Sequence, residues 1–134
     1  MKEEREVLVQ YRLEQAEESL ESAQLLLDNK KYRPSVSRSY YGMFYAILAL
    51  LAIEGRHTSK HSGAIAMFNR EFVKKGMLDK NFSRWLQEAF DLRQRADYRE
   101  MFSISYKRTK EVLEHASAFV AEVKRLIEKI RDQG

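Results

Sequence analysis

The chain has 134 residues, no cysteine and one proline, and 33% of it is charged. That length supports one hydrophobic core without staples, while the missing cysteines remove disulfides and thiol chemistry and are compatible with an intracellular protein. The net charge of +4 is uneven: Arg56 to Lys110 carries 13 Lys and Arg against 6 Asp and Glu, which fits either a well-solvated surface or a polyanionic partner such as RNA or a nucleotide.

Five glycines and a single proline leave little punctuation for β-structure. The opening MKEEREVL is charged and lacks the apolar segment of a signal peptide. These features predict one all-helical domain over residues 1–134, cytoplasmic and without a membrane partner.

The first helix is expected from Glu3 to Asp28, because Leu13, Ala16, Leu20, Ala23 and Leu27 recur at alternating intervals of three and four. Pro34 suits the first turn of a second helix, which runs to Glu54 and stops at Gly55. Within it, Tyr40 to Ile53 reads YYGMFYAILALLAI, apolar or aromatic apart from Gly42. A helix apolar on every side has to be covered on every side, and this stretch falls short of the ~20 residues that cross a bilayer. A loop from Arg56 to Lys60, with Thr58 or Ser59 as N-cap, leads to a third helix carrying Ile65, Phe68 and Phe72 and ending at Gly76. Asp79 can cap a fourth, with Phe82, Trp85, Leu86, Ala89 and Phe90. The pattern lapses from Met101 to Ser105, and Val112, Ala116, Phe119, Val123, Leu126 and Ile130 then mark a fifth. Five helices with short connections imply an up-and-down antiparallel bundle.

The fourth helix holds the sharpest anomaly. At about 100° per residue, Arg93 falls in the middle of the stripe made by Phe82, Leu86 and Ala89, and Asp97 follows one turn later on the same face. Arg95 points to the opposite side. A guanidinium on an apolar face has to be paired or look into a cleft or interface. Arg93 and Asp97 are therefore either an intrahelical pair anchoring the helix end, or an anion-binding arginine oriented by an aspartate. On the second helix Arg38 shares a face with Tyr41 and Tyr45. Tyr40, Tyr41 and Tyr45 are either core aromatics with bonded hydroxyls, or Arg38 and Tyr41 face the fourth helix and widen a polar site.

His57 and His61 are four apart, the spacing of a helical metal pair. Gly55 and the cap candidates place His57 in a loop, however, and no third ligand follows from spacing. A di-iron bundle is also excluded, since Glu54-Gly55-Arg56-His57 is the one Glu-x-x-His match and crosses a helix end. No metal and no cofactor are expected.

Four stretches in order, SRSYYGMFYAILALL (Ser37 to Leu51), KHSGAIAMFNREFVKKG (Lys60 to Gly76), LRQRADY (Leu92 to Tyr98) and ASAFVAEV (Ala116 to Val123), together resemble a small stand-alone prokaryotic HEPN domain whose fourth helix carries Arg-x-x-Ala-Asp-Tyr. The resemblance spans the chain from first helix to last. It implies a bundle that forms a homodimer and serves as the toxin of a toxin–antitoxin pair, beside a minimal nucleotidyltransferase antitoxin. It also implies metal-independent endoribonuclease chemistry, in which arginine and histidine of an Arg-x(4–6)-His motif meet at the dimer interface. There the RNA 2′-hydroxyl attacks its own phosphate, histidine exchanges protons and arginine offsets the charge on the phosphorane.

Carried onto this sequence, the motif arginine is Arg93, with Asp97 and Tyr98 as further catalytic candidates. Arg38, Tyr41, Lys60, His61 and Arg95 are candidate contacts to RNA or a nucleotide. The sequence departs from the ribonuclease motif in one respect. With four to six residues intervening, Arg93 is followed by Tyr98, Arg99 and Glu100, and Arg95 by Glu100, Met101 and Phe102. None is histidine, and a tyrosine of ordinary pKa near 10 is a poor base at neutral pH. His61 could take that place only if folding brought it close. The alternative expectation is a non-catalytic subunit that binds a nucleotide or a nucleotidyltransferase.

Overall fold

A computed structural model describes residues 2–56, 58, 60–98 and 101–133. Among these residues there are five helices and no strand: α1 (Lys2–Asp28), α2 (Tyr32–Ile53), α3 (His61–Phe68, prolonged by a π-helical turn over Asn69–Val73), α4 (Lys80–Tyr98) and α5 (Tyr106–Gln133). The bundle is all-α, as the periodicity implies, and α2 is its axis, touching each of the other four helices.

Helix α2 has 22 residues because it begins at Tyr32, ahead of the apolar run. By length and composition alone it could cross a bilayer, yet 67% of its most apolar window is buried inside the bundle. Tyr40, Met43, Ile47, Leu50 and Leu51 are fully buried there, with Val9 and Ala16 of α1, Phe68 and Phe72 from α3 and its π turn, and Phe119 of α5. Gly42 permits the close approach of α1, since a Cβ there would lie 2.9 Å from Leu20 Cδ2 and 3.5 Å from the Ala16 carbonyl oxygen.

The expectation that α2 is covered on every side holds on three sides only. Arg38, Tyr41, Tyr45 and Leu48 recur at helical spacing and remain half-buried. Three of these four carry a polar end, so water along this edge costs little.

The connections follow the residues that make them. Helix α1 ends in a Schellman turn, with Lys30 N–H bonded to the Leu27 carbonyl and Lys31 N–H to that of Leu26. Lys30 takes the left-handed position, at φ 60°, where a Cβ is disfavoured by on the order of 1 kcal/mol. Lys30→Gly should therefore stabilise the fold by about that amount, read as a rise of a few degrees in Tm. Gly55 makes the same turn after α2 at φ 72°. Helix α3 opens from Lys60 in extended conformation, with Lys60 N–H reaching Thr58 Oγ1 at 3.4 Å. Ser59 and His57 lie outside the described residues. Asp79 Oδ1 accepts the Asn81 N–H at 2.8 Å, capping α4 as its sequence position implies, and Ser105 Oγ accepts the Arg108 N–H at 3.1 Å to cap α5.

Candidate functional site

Helix α4 buries Leu86, Ala89, Leu92 and Ala96, so Arg93 lands on the edge of the buried stripe rather than at its centre. Its side chain is only 16% exposed and is paired with Asp97. Nε donates to Asp97 Oδ2 at 3.1 Å and Nη2 to the Tyr41 hydroxyl at 3.1 Å. The guanidinium carbon lies 5.5 Å from the Tyr40 ring centroid and 5.2 Å from that of Tyr41, within cation–π range. Asp97 in turn accepts the Ser37 hydroxyl at 2.9 Å on Oδ1. One turn away, Arg33 Nε donates to the Ala96 carbonyl at 3.0 Å, occupying an acceptor that α4 leaves open near its end. The α4 terminus is thus tied to α2 at several points. The pair is intrahelical, as one of the two sequence readings has it, and it is also joined to Tyr41 across the seam.

His61, the first residue of α3, completes the cluster. Its Nδ1 is 2.9 Å from the Tyr40 hydroxyl oxygen, and its ring stacks on Phe44 at 3.9 Å between centroids and 9° between planes. Tyr41 meets it edge-on at 5.8 Å. Burial pushes the Tyr40 phenol up to about 12, against the opposing pull of Arg93. Burial first, and the Arg93 charge second, hold the His61 imidazole below its ordinary 6.5. Both groups are therefore neutral at pH 7. Because the folded pKa of His61 is depressed, its contribution to stability is complete above pH 6.5 and is lost as pH falls below that value.

Folding thus brings together Arg93, Asp97, Ser37, Tyr41 and His61, as the sequence allowed, and adds Tyr40 and Phe44. Arg38 joins through Tyr41, with its guanidinium carbon 5.1 Å from that ring and Nη2 donating to Ser19 Oγ at 2.9 Å. With Gln15, Glu18, Ser22 and Tyr45 it lines a small polar cleft of about 160 Å³ between α1 and α2. Lys60 is exposed and next to His61 in the chain.

Tyr98 and Arg95 stand apart. Both are exposed and line a separate depression with Asp91 and Gln94. At about 100° per residue, five positions turn Tyr98 roughly 140° away from Arg93, and two turn Arg95 roughly 200° away. Tyr98, grouped with Arg93 by its place in the motif, is thereby separated from it by helix geometry. Among the described residues no three His, Asp or Glu side chains cluster closely enough to hold a metal ion.

An arginine and aspartate one turn apart on the fourth helix are thus set against paired tyrosines of the second in an all-helical bundle. The HEPN domain family model matches residues 9–129, and the chain belongs to that family. A UPF0332 protein of Thermotoga maritima is 37% identical over 96% of this chain and 97% of its own length. A Methanocaldococcus jannaschii protein named "Putative toxin MJ0142" is 36% identical over 86% of this chain and 78% of its own. The UPF0332 protein PH1297 of Pyrococcus horikoshii is 41% identical over 81% and 75% respectively.

Proposed function

We propose that this chain is the toxin-type member of a toxin–antitoxin pair, that it acts on RNA without a metal, and that it works as a homodimer. The toxin reading draws on the family and on the names of two Methanocaldococcus jannaschii relatives. The observation that carries the RNA reading is Arg93. It is a guanidinium preset against two neighbouring tyrosine rings, held by an aspartate, beside an imidazole that is neutral at pH 7. Such a group meets a phosphodiester with little reorganisation, which is what stabilising charge in a phosphoryl transition state requires. The open stripe of α2 supports the dimer, because it lies along the same tyrosines and would place two copies of the cluster near one two-fold axis.

The test is incubation of end-labelled single-stranded RNA with the purified chain in EDTA. Cleavage that leaves a 2′,3′-cyclic phosphate is expected, and intact RNA at high concentration of a confirmed dimer would defeat the reading.

A second reading is favoured by one observation, the absence of a histidine where the ribonuclease motif carries it. There the chain is a non-catalytic subunit that binds a nucleotide or a minimal nucleotidyltransferase. It predicts uncleaved RNA, co-purification with such a partner, and loss of binding when Arg93 and Arg38 are neutralised.

A further inference from the structure

Cleaving RNA through its own 2′-hydroxyl needs a group that takes that hydroxyl's proton, and the motif position does not provide one. Folding brings a histidine from elsewhere. His61 and Arg93 flank the same pair of rings: the imidazole centroid is 5.9 Å from Tyr40 and 5.8 Å from Tyr41, and the guanidinium carbon is 5.5 Å and 5.2 Å from them.

The imidazole is both packed and oriented. Nδ1 is engaged by the Tyr40 oxygen, and stacking on Phe44 fixes the ring plane. The residue is only half-buried, and Nε2, on the far side of the ring from Tyr40, has no hydrogen-bond partner among the described residues. Tyr40 is fully buried and stays a neutral phenol. Its oxygen can accept from Nδ1–H whether or not Nε2 carries a proton. In the tautomer whose Nδ1–H donates to that oxygen the lone pair lies on Nε2, the logic of a base held by a third group.

Resting on the RNA-cleaving reading, we propose that His61 is the proton-accepting catalytic residue of this protein and Tyr40 the positioning residue that orients it. His61 Nε2 takes the proton of the 2′-hydroxyl as O2′ bonds to phosphorus. The P–O5′ bond breaks, O5′ leaves with a proton from water, and His61 returns its own proton to solvent. The products are a 2′,3′-cyclic phosphate and a 5′-hydroxyl end, and no oxidant, reductant or co-substrate is consumed. Arg93 faces the phosphate oxygens while their charge rises.

The titratable and charged groups around His61 are Tyr40 and Tyr41 from α2, Arg93 with its partner Asp97 from α4, and Lys60 beside it in the chain. The burial and positive charge that depress its pKa put the acid limb of kcat/KM below the ordinary histidine range. Activity is then complete at neutral pH and falls as acid protonates Nε2.

The experiment compares wild type, H61Q, Y40F and R93A on end-labelled RNA in EDTA, with circular dichroism confirming that each is folded. H61Q should lower kcat by on the order of 10²-fold or more with KM unchanged, and should abolish the acid limb. Y40F, nearly isosteric, should lower kcat less and move that limb without removing it. If H61Q stays within about threefold of wild type, far short of the loss of a general base, while R93A is inactive, His61 is not the base and the RNA reading stands. If wild type leaves RNA intact, or R93A cleaves as well as wild type, the RNA reading itself falls and His61 with it.

Discussion

Replacing Arg93 by methionine should remove RNA cleavage by on the order of 10²–10³-fold, the cost of losing one preset group that stabilises transition-state charge, without unfolding the protein. The two halves of this expectation have separate physical origins. Methionine keeps much of the arginine stem's volume against Tyr40 and Tyr41, so the packing survives. The groups it abandons have other recourse. Asp97 keeps the Ser37 hydroxyl and is 34% exposed, so its carboxylate is rehydrated rather than stranded, and a part-buried ion pair exchanged for an apolar side chain of similar size is often neutral or stabilising. Thermal melting of Arg93→Met within a few degrees of wild type, combined with loss of cleavage, identifies Arg93 as a residue kept for chemistry. Unchanged activity would make the cluster a structural tie between α4 and α2. Arg93→Ala is less diagnostic, because truncation also strips the two tyrosine rings of their cover.

Much of the bundle could be read from residue spacing because its decisive interactions are local. The stripe from Val112 to Ile130 is buried in α5 except at its last position, and the Asp79 cap forms where the sequence puts it. The π turn at Asn69–Val73 was not legible. It lies where α3 meets α4, with the Ser83 hydroxyl of α4 donating to Asn69 Oδ1 at 2.7 Å, a contact that leaves no trace in local spacing. The site divides in the same way. Arg93 stood out because helical geometry placed a charge among apolar neighbours, and Asp97 followed from one turn of spacing. The link from His61 to Tyr40 joins residues far apart in sequence, and stacking on Phe44 leaves no periodic trace. Tyr98 shows the converse, since a motif keeps residues consecutive whether or not the helix turns them to one side.

The second large effect is expected at Leu48. If the open stripe of α2 is the dimer interface proposed above, Leu48→Arg should convert the protein to a folded monomer at micromolar concentration, as read by size-exclusion chromatography with light scattering. Leu48 is half-buried in the monomer, so a long charged side chain can reach water there, and circular dichroism should be unchanged. In a two-fold interface every substitution counts twice. Burying a leucine is worth about 1.5–3 kcal/mol, so losing two such contacts weakens association by on the order of 10²-fold or more, before the desolvation of two arginines is added. The consequence for function separates the dimer from the cluster. Arg93, Asp97, Tyr40 and His61 are all within one chain, and Leu48 is two helical turns beyond Tyr40 along α2. A monomeric Leu48→Arg that still cleaves RNA would show that one protomer's cluster suffices, and one that has lost cleavage would show that the second copy contributes to the site. A wild-type chain that is itself monomeric at micromolar concentration would instead leave the α2 stripe without its proposed partner.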